Sequence, residues 1–436
     1  MYGMRGPPVP DNHIQTLPDN WFDQRVDHFN TSDTRTFKQT GGPVFLMLDG
    51  EAEGTDYFAT TGAMAEFASR FNAIAVELEH RYYGQSVPTV DLSVDNLRYL
   101  TVEQALKDTD EFIGYLNGKL SLTNTTKWIT FGGSYAGSLA AWFREKYPQS
   151  VAGSVASSAP VQVRYEFKEY LGVDSQSLGT ECTNQVREAF KQIEDQLKTS
   201  QGCQLLTKQF NLCTPMNGTD LDSVHNLKFN LIVPLGMAAQ YDGQIPLSVG
   251  KVCAMMMTNV SIKQPVERLA SVQSEYLSGK CLDYDWIKYV NQLKETSKTA
   301  PLVRAGTCTE LAFFITTGLE DSPFGRNSVP VDYWTKQCTD VFGNEFTPES
   351  IKKAVDKFNA GYGGFKPNVT NVVFPNGSVD PWHALSVLND LNNSTRAVYI
   401  NGTSHGSDMV QTKPTDPQVL TDARLAIEKQ LHLFLQ

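Results

Sequence analysis

Cysteine is missing from long stretches of this chain of 436 residues, because all seven cysteines lie between residues 182 and 338. None of them forms a C-x-x-C pair, which argues against a zinc site, and no metal or cofactor is expected. Dispersed cysteines confined to one region are typical of disulfides that brace an inserted domain. The odd number of cysteines leaves one unpaired.

Basic charge and long apolar runs are also scarce. The net charge is −11, which argues against nucleic acid or an anionic membrane as a partner. No apolar run approaches the length of a membrane span, and the first residues, MYGMRGPPVPDN, contain no apolar core of a signal peptide. Sequons of the form N-x-S/T nevertheless favour the secretory route; they begin at Asn30, Asn124, Asn217, Asn259, Asn368, Asn376, Asn392, Asn393 and Asn401. We therefore expect a secreted or lysosomal protein whose signal peptide is absent from this sequence.

Apolar runs and helical patterns alternate through the first part of the chain, up to about residue 172. Continuous apolar runs predict strands at 44–48, 73–78, 128–131 and 151–156, and helical spacing predicts helices at 57–71 and 101–116. Such alternation predicts a parallel sheet that is covered by helices on both faces.

The alternation stops in the middle of the chain and returns near its end. Helical patterns dominate residues 173–360, and strands return at 371–374 and 396–400, followed by a helix at 417–434. The predicted organisation is an α/β domain in two parts, 1–172 and 361–436, with a mainly helical domain, 173–360, inserted between sheet strands.

The segment 128–142, WITFGGSYAGSLAAW, reads as a strand, a tight turn and a helix with Ser134 at the apex. In a nucleophile elbow the serine lies in a strained turn, so the residues two before and two after it must be small. Gly132 and Ala136 meet this requirement, although Ala136 breaks the strict G-x-S-x-G pattern. An ordinary turn with a helix-capping serine remains the alternative.

A serine nucleophile requires a histidine base and an acid that orients it. His405 is the histidine that follows a late strand, whereas His383 is too close to the candidate acid and His432 lies in the last helix. Asp380, in the loop after strand 371–374, is the candidate acid; its alternative role is to cap the next helix. Asp390 is the rival acid, although we expect it to lie well inside that helix.

The oxyanion hole requires two backbone N–H groups. One is expected from Tyr135, directly after the nucleophile, and the other from Gly50 or Glu51 in the loop after strand 44–48. The alternative is that Gly50 only turns the chain.

Several motifs taken together resemble the serine peptidase family of prolyl carboxypeptidase, dipeptidyl peptidase II and thymus-specific serine protease. They run through most of the chain at 21–29 (WFDQRVDHF), 79–88 (EHRYYGQSVP), 99–108 (YLTVEQALKD), 132–142, 157–161 (SSAPV), 308–310 (CTE), 376–382 (NGSVDPW) and His405 with Asp408. The resemblance implies an α/β-hydrolase fold with a large, mainly helical cap domain inserted between sheet strands. It implies Ser134, Asp380 and His405 as the triad, with cleavage next to proline or small residues near a peptide end.

The resemblance also implies the disulfides and the substrate-binding residues. The family's bridges suggest Cys182–Cys253, Cys213–Cys281 and Cys308–Cys338 with Cys203 free, although a bridge between Cys203 and Cys213 is sterically open. Glu310 and Trp382, which lie in shared motifs, are the expected substrate-binding residues. Asp49 and Ala52 depart from the family pattern, which usually has glycine at both positions, so the oxyanion loop is expected to differ in detail.

The function expected from these features is that of a serine exopeptidase acting on short peptides. Release of dipeptides from the amino end is favoured, with Glu310 holding the amine, and carboxypeptidase action with Arg304 nearby is the alternative. A lipase or esterase with the same triad and an inactive binding homologue are the competing functions. The expected partner is a peptide, and a homodimer is left open.

Overall fold

The structure is a computed structural model that describes residues 21–25, 36–40, 42–123, 125–258, 264–297 and 306–436. The sequons at Asn30, Asn124 and Asn259 and the predicted cation Arg304 lie outside the described residues.

The described strands form one large sheet and two small ones. In chain order they are β1 (Trp21–Arg25), β2 (Thr36–Thr40), β3 (Val44–Leu48), β4 (Ile74–Leu78), β5 (Trp128–Gly133), β6 (Gly153–Ser157), β7 (Arg164–Phe167), β8 (Ala312–Ile315), β9 (Val372–Gly377) and β10 (Thr395–Ile400). The large sheet has the order β10-β9-β6-β5-β3-β4, and all its neighbours are parallel. The small sheets pair β1 with β2 antiparallel and β7 with β8 parallel.

The described helices cover the large sheet and build nearly all of the segment between β6 and β9. They are α1 (Tyr57–Thr60), α2 (Ala63–Phe71), α3 (Val94–Leu97), α4 (Val102–Lys119), α5 (Tyr135–Lys146), α6 (Glu169–Leu197), α7 (Ser200–Gln209), α8 (Leu221–Gln240), α9 (Val249–Thr258), α10 (Pro265–Tyr276), α11 (Trp286–Leu293), α12 (Val331–Phe342), α13 (Pro348–Tyr362) and α14 (Gln418–Phe434). A turn of π-helix at Thr307–Leu311 and a 3₁₀ helix at Pro381–Leu385 complete the set. Every described helix is too short or too polar to serve as a membrane span.

This architecture confirms the predicted fold class, an α/β-hydrolase fold with a large helical cap inserted between sheet strands. In this sheet β6, the last strand before the insertion, lies next to β9, the first strand after it. The strands on either side of the insertion therefore belong to one sheet. The boundaries at residues 173 and 360 stay a prediction.

One sequence-based expectation about local structure is wrong. The helix predicted at 57–71 is two helices, because the chain is extended at Gly62 before α2 begins. A Cβ added at Gly62 would lie 2.8 Å from the carbonyl oxygen of Met409, so the chain here is pressed against the loop that follows β10. The middle segment is mainly helical, as predicted; its one described strand, β8, pairs with β7, which precedes residue 173.

Local signals explain where the helices begin and end. The Thr101 side chain accepts a hydrogen bond from the Gln104 N–H and so caps α4. The helix α13 has Thr347 as its capping residue, Pro348 in its first turn, and Gly363 in the left-handed conformation at its end.

The disulfides join Cys182 to Cys253, Cys213 to Cys281 and Cys308 to Cys338, as the resemblance implied. Cys203 is buried and free. All three bridges lie between β6 and β9, so they brace the cap and do not tie it to the large sheet.

Candidate active site

The turn at Ser134 has the geometry of a nucleophile elbow. Ser134 lies between β5 and α5 with φ 61° and ψ −130°, a conformation that is strained for a residue with a side chain, and it is fully buried. A Cβ added at Gly132 would lie 2.1 Å from the carbonyl oxygen of Ala136. Glycine at this position is therefore a steric requirement of the turn.

The candidate acid and base meet at the carboxyl edge of the sheet. Asp380 follows β9 and His405 follows β10, and both side chains are fully buried. His405 Nδ1 lies 2.8 Å from Asp380 Oδ2, although the ring N–H is not aligned with this oxygen as in an ideal hydrogen bond. The other carboxylate oxygen, Oδ1, accepts a hydrogen bond from the Trp382 backbone N–H at 3.0 Å.

The serine and the histidine do not form a hydrogen bond in this structure. Ser134 Oγ and His405 Nε2 are both buried and neither has a hydrogen-bond partner. Catalytic hydrogen bonds are often long in the absence of substrate and shorten when it binds, so the geometry is compatible with a serine–histidine pair.

The rival residues are placed elsewhere. His383 directs Nδ1 at the carbonyl oxygen of Asp380, 2.6 Å away, and His432 packs on the ring of Phe71. Asp390 does not lie inside a helix, because the 3₁₀ turn ends at Leu385, and it pairs with Arg396 on the surface. Neither histidine nor Asp390 occupies the position of the candidate base or acid.

The loop that carries His405 is fixed to the elbow side of the sheet by contacts that the sequence did not predict. Asp408 accepts a hydrogen bond from the Ser157 hydroxyl, and the Ser157 carbonyl accepts the backbone N–H of Ser134 at 2.9 Å. Arg424 of α14 donates to the carbonyl oxygens of Asp408 and Val410. Asp408 lies in a shared motif, but the sequence around Arg424 gives no signal of its role.

The predicted oxyanion loop passes beside the elbow. A Cβ added at Gly50 would lie 3.6 Å from the backbone nitrogen of Ala136, at the start of α5. Tyr135 occupies the first position of this helix, where backbone N–H groups have no partner within the helix. Burial raises the pKa of the Tyr83 and Tyr135 phenols, and the negative charge of Glu51 adds to both shifts. The oxyanion roles of Tyr135, Gly50 and Glu51 stay predictions.

A buried histidine, His80, supports the Tyr135 side chain. Its Nε2 lies 3.2 Å from the Tyr135 hydroxyl, and its Nδ1 lies 2.7 Å from the carbonyl oxygen of Arg81. Burial lowers the pKa of His80 to about 4, so its ring is neutral at physiological pH.

The two predicted substrate-binding residues have structural contacts. Glu310 accepts a hydrogen bond from the Val102 N–H at 2.9 Å, which places a carboxylate at the amino end of α4, and burial raises its pKa. Trp382 is buried against the rings of Phe167, Tyr170 and Phe313. Roles in substrate binding stay predictions for both.

A further buried carboxyl lies near the candidate acid. Asp174 of α6 is fully buried, and neither of its oxygens has a hydrogen-bond partner. Burial raises the pKa of Asp174 well above its ordinary value, and the charge of Asp380 adds to the shift. Burial therefore favours the neutral, protonated form of Asp174. Among the described residues, no three His, Cys, Asp or Glu side chains are grouped so that they could hold a metal ion.

Comparison with known proteins gives the family. Residues 24–427 match the family described as serine carboxypeptidase S28. This chain belongs to the S28 family. Thymus-specific serine protease of Mus musculus is 35% identical over 451 residues, covering 95% of this chain and 87% of the relative. Lysosomal Pro-X carboxypeptidase of Homo sapiens is 30% identical over 443 residues, covering 93% of this chain and 85% of the relative.

As a member of the S28 family, the chain is a serine-type peptidase. Among solved structures, epoxide hydrolase VrEH1 from Vigna radiata covers 91% of this chain and 91% of its own at 12% identity. The TM-score of 0.36 is too low for this likeness to add to the topology.

Proposed function

We propose that this peptidase is a carboxypeptidase that cleaves short peptides next to proline or other small residues, through Ser134, His405 and Asp380. The observation that carries the proposal is the buried pair of His405 and Asp380, 2.8 Å apart, at the sheet edge where Ser134 occupies a strained elbow. The lysosomal Pro-X carboxypeptidases among the relatives support the substrate class.

In the proposed reaction, Ser134 Oγ attacks the carbonyl carbon of the scissile bond while His405 Nε2 accepts the hydroxyl proton. The Asp380 carboxylate orients the ring through Nδ1 and stabilises the imidazolium that forms. The N–H of Tyr135 and an N–H of the loop at Gly50 and Glu51 stabilise the negative oxygen of the tetrahedral intermediate. His405 then passes its proton to the leaving amine, an acyl-enzyme forms, and water activated by His405 releases the peptide and the free serine.

The direction of cleavage depends on which peptide end is held. The sequence favoured the amino end with Glu310 as the anchor, but the Glu310 carboxylate already accepts the Val102 N–H at the start of α4. The family description and the Pro-X carboxypeptidases instead favour release from the carboxyl end.

The relatives also support a secreted or lysosomal location, and the three disulfides agree with an oxidising compartment. One sequon is unsuited to glycosylation, because Asn376 is buried in β9 and donates to the carbonyl oxygens of Phe374 and Val387. We propose that exposed asparagines such as Asn217, Asn368 and Asn401 carry the glycans.

The triad is tested by Ser134→Ala with proline-containing peptides and mass-spectrometric detection of products. We expect the variant to fold and kcat to fall by about 10⁴-fold or more, since triad members act as a unit. Ser138→Ala is the matched control, because Ser138 is a buried serine one turn later in α5 and should retain activity. Full activity of Ser134→Ala, or hydrolysis of short acyl esters but of no peptide, would contradict the proposal.

The direction of cleavage is tested with peptides that share one cleavable bond. One peptide is acetylated at its amino end, and the other is amidated at its carboxyl end. We expect amidation to abolish cleavage, because a carboxypeptidase must hold the terminal carboxylate. Loss of cleavage on acetylation indicates release of dipeptides instead, and cleavage of a long peptide blocked at both ends excludes exopeptidase action.

A further inference from the structure

The end of cap helix α8 lies directly against the loop that carries His405. Gln240, the last residue of α8, is fully buried, and its backbone carbonyl accepts the backbone N–H of His405 at 2.9 Å. This contact joins a residue of the cap to the candidate base, across more than 160 residues of sequence.

The side chain of Gln240 reaches the acid loop at the same time. Its Oε1 accepts a hydrogen bond from Trp382 Nε1 at 3.1 Å and another from the Tyr170 hydroxyl at 2.7 Å. The backbone N–H of Trp382 in turn donates to Asp380 Oδ1, and Asp380 Oδ2 lies 2.8 Å from His405 Nδ1. The residues His405, Gln240, Trp382 and Asp380 therefore form a closed ring of contacts.

A second glutamine of the cap holds the other side of the same residue. Gln244, in the turn after α8, donates from Nε2 to the His405 carbonyl at 2.7 Å and to the Ser404 hydroxyl at 2.9 Å. The Ser404 hydroxyl donates to the carbonyl of Asp242. Cap groups thus bind both the N–H and the carbonyl of His405, which fixes the main chain that carries the imidazole.

We propose that Gln240 is a positioning residue for the reaction, through which the cap aligns His405 with Asp380. This inference rests on the proposed function of these two residues. The ring acts through geometry, because Gln240 touches neither the scissile bond nor the reacting atoms. Small displacements of a catalytic group have large effects on rate, so loss of the Oε1 acceptor should misalign the base without removing the substrate pocket. It also leaves two buried donors, Trp382 Nε1 and the Tyr170 hydroxyl, without this acceptor.

The test is Gln240→Met, which keeps the length of the side chain and removes both the acceptor and the amide. We expect kcat to fall by about 10²-fold while KM changes by no more than about three-fold. A fluorophosphonate probe that labels the active serine should react more slowly in proportion to kcat, because its rate depends on the alignment of the base and not on peptide binding. Gln273→Met is the matched control, since Gln273 is a buried glutamine of cap helix α10 away from the ring, and both its rates should stay unchanged.

Trp382→Phe supplies an independent variant, because it removes the indole N–H from the ring and keeps an aromatic side chain. We expect slower labelling in this variant, and little further loss when Gln240→Met is added, since both substitutions open the same ring. If Gln240→Met does not fold, the labelling rate of Trp382→Phe decides. Labelling at the wild-type rate in the folded variants, or fully additive losses, would overturn the positioning role. A wild-type protein that is neither labelled at Ser134 nor active on peptides would instead contradict the proposed function.

Discussion

Asp49 lies at the carboxyl end of β3 and shares a face of the sheet with a second carboxyl, Glu77 of β4. The register places Met47 opposite Glu77, so Asp49 is two residues further along the same face. Asp49 Oδ2 and Glu77 Oε2 are buried, and neither accepts a hydrogen bond from an N–H or hydroxyl group of the described residues. Burial, followed by the charge of Glu77, raises the pKa of Asp49 to about 9, and burial raises the pKa of Glu77. We infer that the two groups share one proton at neutral pH.

This pair predicts a specific dependence of stability on pH. The unfolded chain holds the Asp49 proton only below its ordinary pKa of 3.8, whereas the folded chain holds it up to about 9. The proton therefore stabilises the folded state fully below pH 3.8, and this contribution is lost as the pH rises to about 9. Asp49→Asn cannot titrate and should donate an amide N–H to Glu77 at every pH. We expect the Tm of the variant, relative to wild type, to rise between pH 4 and pH 9.

The measurement is thermal unfolding of both proteins across this range, in which the titration of groups outside the Asp49–Glu77 pair cancels in the difference. Asp321→Asn, at an exposed aspartate, is the control and should show a constant difference. A constant difference for Asp49→Asn as well would show that the pair does not share a proton.

The sequence predicted that the three candidate catalytic residues lie close together, because their positions follow from the order of the strands. Ser134, Asp380 and His405 each follow a predicted strand, and parallel strands bring their carboxyl ends to one edge. Gln240 ends the largely buried helix α8 and Arg424 lies in α14, and their contacts depend on how those helices dock. Docking is set by packing between distant segments, which a single sequence does not encode locally.

The strand–turn–helix of β5 and α5 is the element on which the candidate site depends most. A Cβ at Gly132 would meet the backbone oxygen and carbon of Ala136 at 2.1 and 2.4 Å, within the first turn of α5. Backbone atoms cannot move aside as a flexible side chain can, so the turn itself would have to change. Because the turn requires small residues, the sequence alone predicted this strand–turn–helix. The helix break at Gly62 could not be predicted in the same way, because it depends on contact with a distant loop.

We therefore expect Gly132→Ala to abolish activity and to destabilise the protein by about 1–3 kcal/mol or more, as overpacking does. Gly114→Ala is the matched control, because Gly114 is an exposed glycine inside α4 with no atom within 4 Å of an added Cβ. It should be neutral or stabilising by up to about 1 kcal/mol, since alanine favours a helix over glycine. Urea unfolding and a peptide assay measure both effects, and an active Gly132→Ala would show that the elbow tolerates a side chain.

The cap and the α/β domain share one continuous apolar core. A single cluster of buried side chains includes Val44 and Leu46 of the sheet, Trp142 of α5, and Leu227 and Leu269 of the cap. Two domains that met only through a small polar interface would be expected to unfold separately. Here the apolar contacts cross the boundary, and hydrogen bonds from Gln240 and Gln244 cross it at the candidate site. The ring at His405 is therefore supported by the packing of the whole cap.

We expect the protein to unfold in one cooperative transition, although a chain of 436 residues is long enough for two independent domains. Replacing Cys213 and Cys281 together by serine removes a bridge that lies wholly within the cap and closes a loop of 68 residues. Loop-closure entropy predicts a loss of about 4 kcal/mol. Because the core is shared, this loss should lower the temperature of the single transition. Tryptophan fluorescence, far-UV circular dichroism and the rate of Ser134 labelling should all change at that same temperature. A calorimetric trace that splits into an early transition of the cap and an unchanged later one would mean that the α/β domain keeps its fold without the cap.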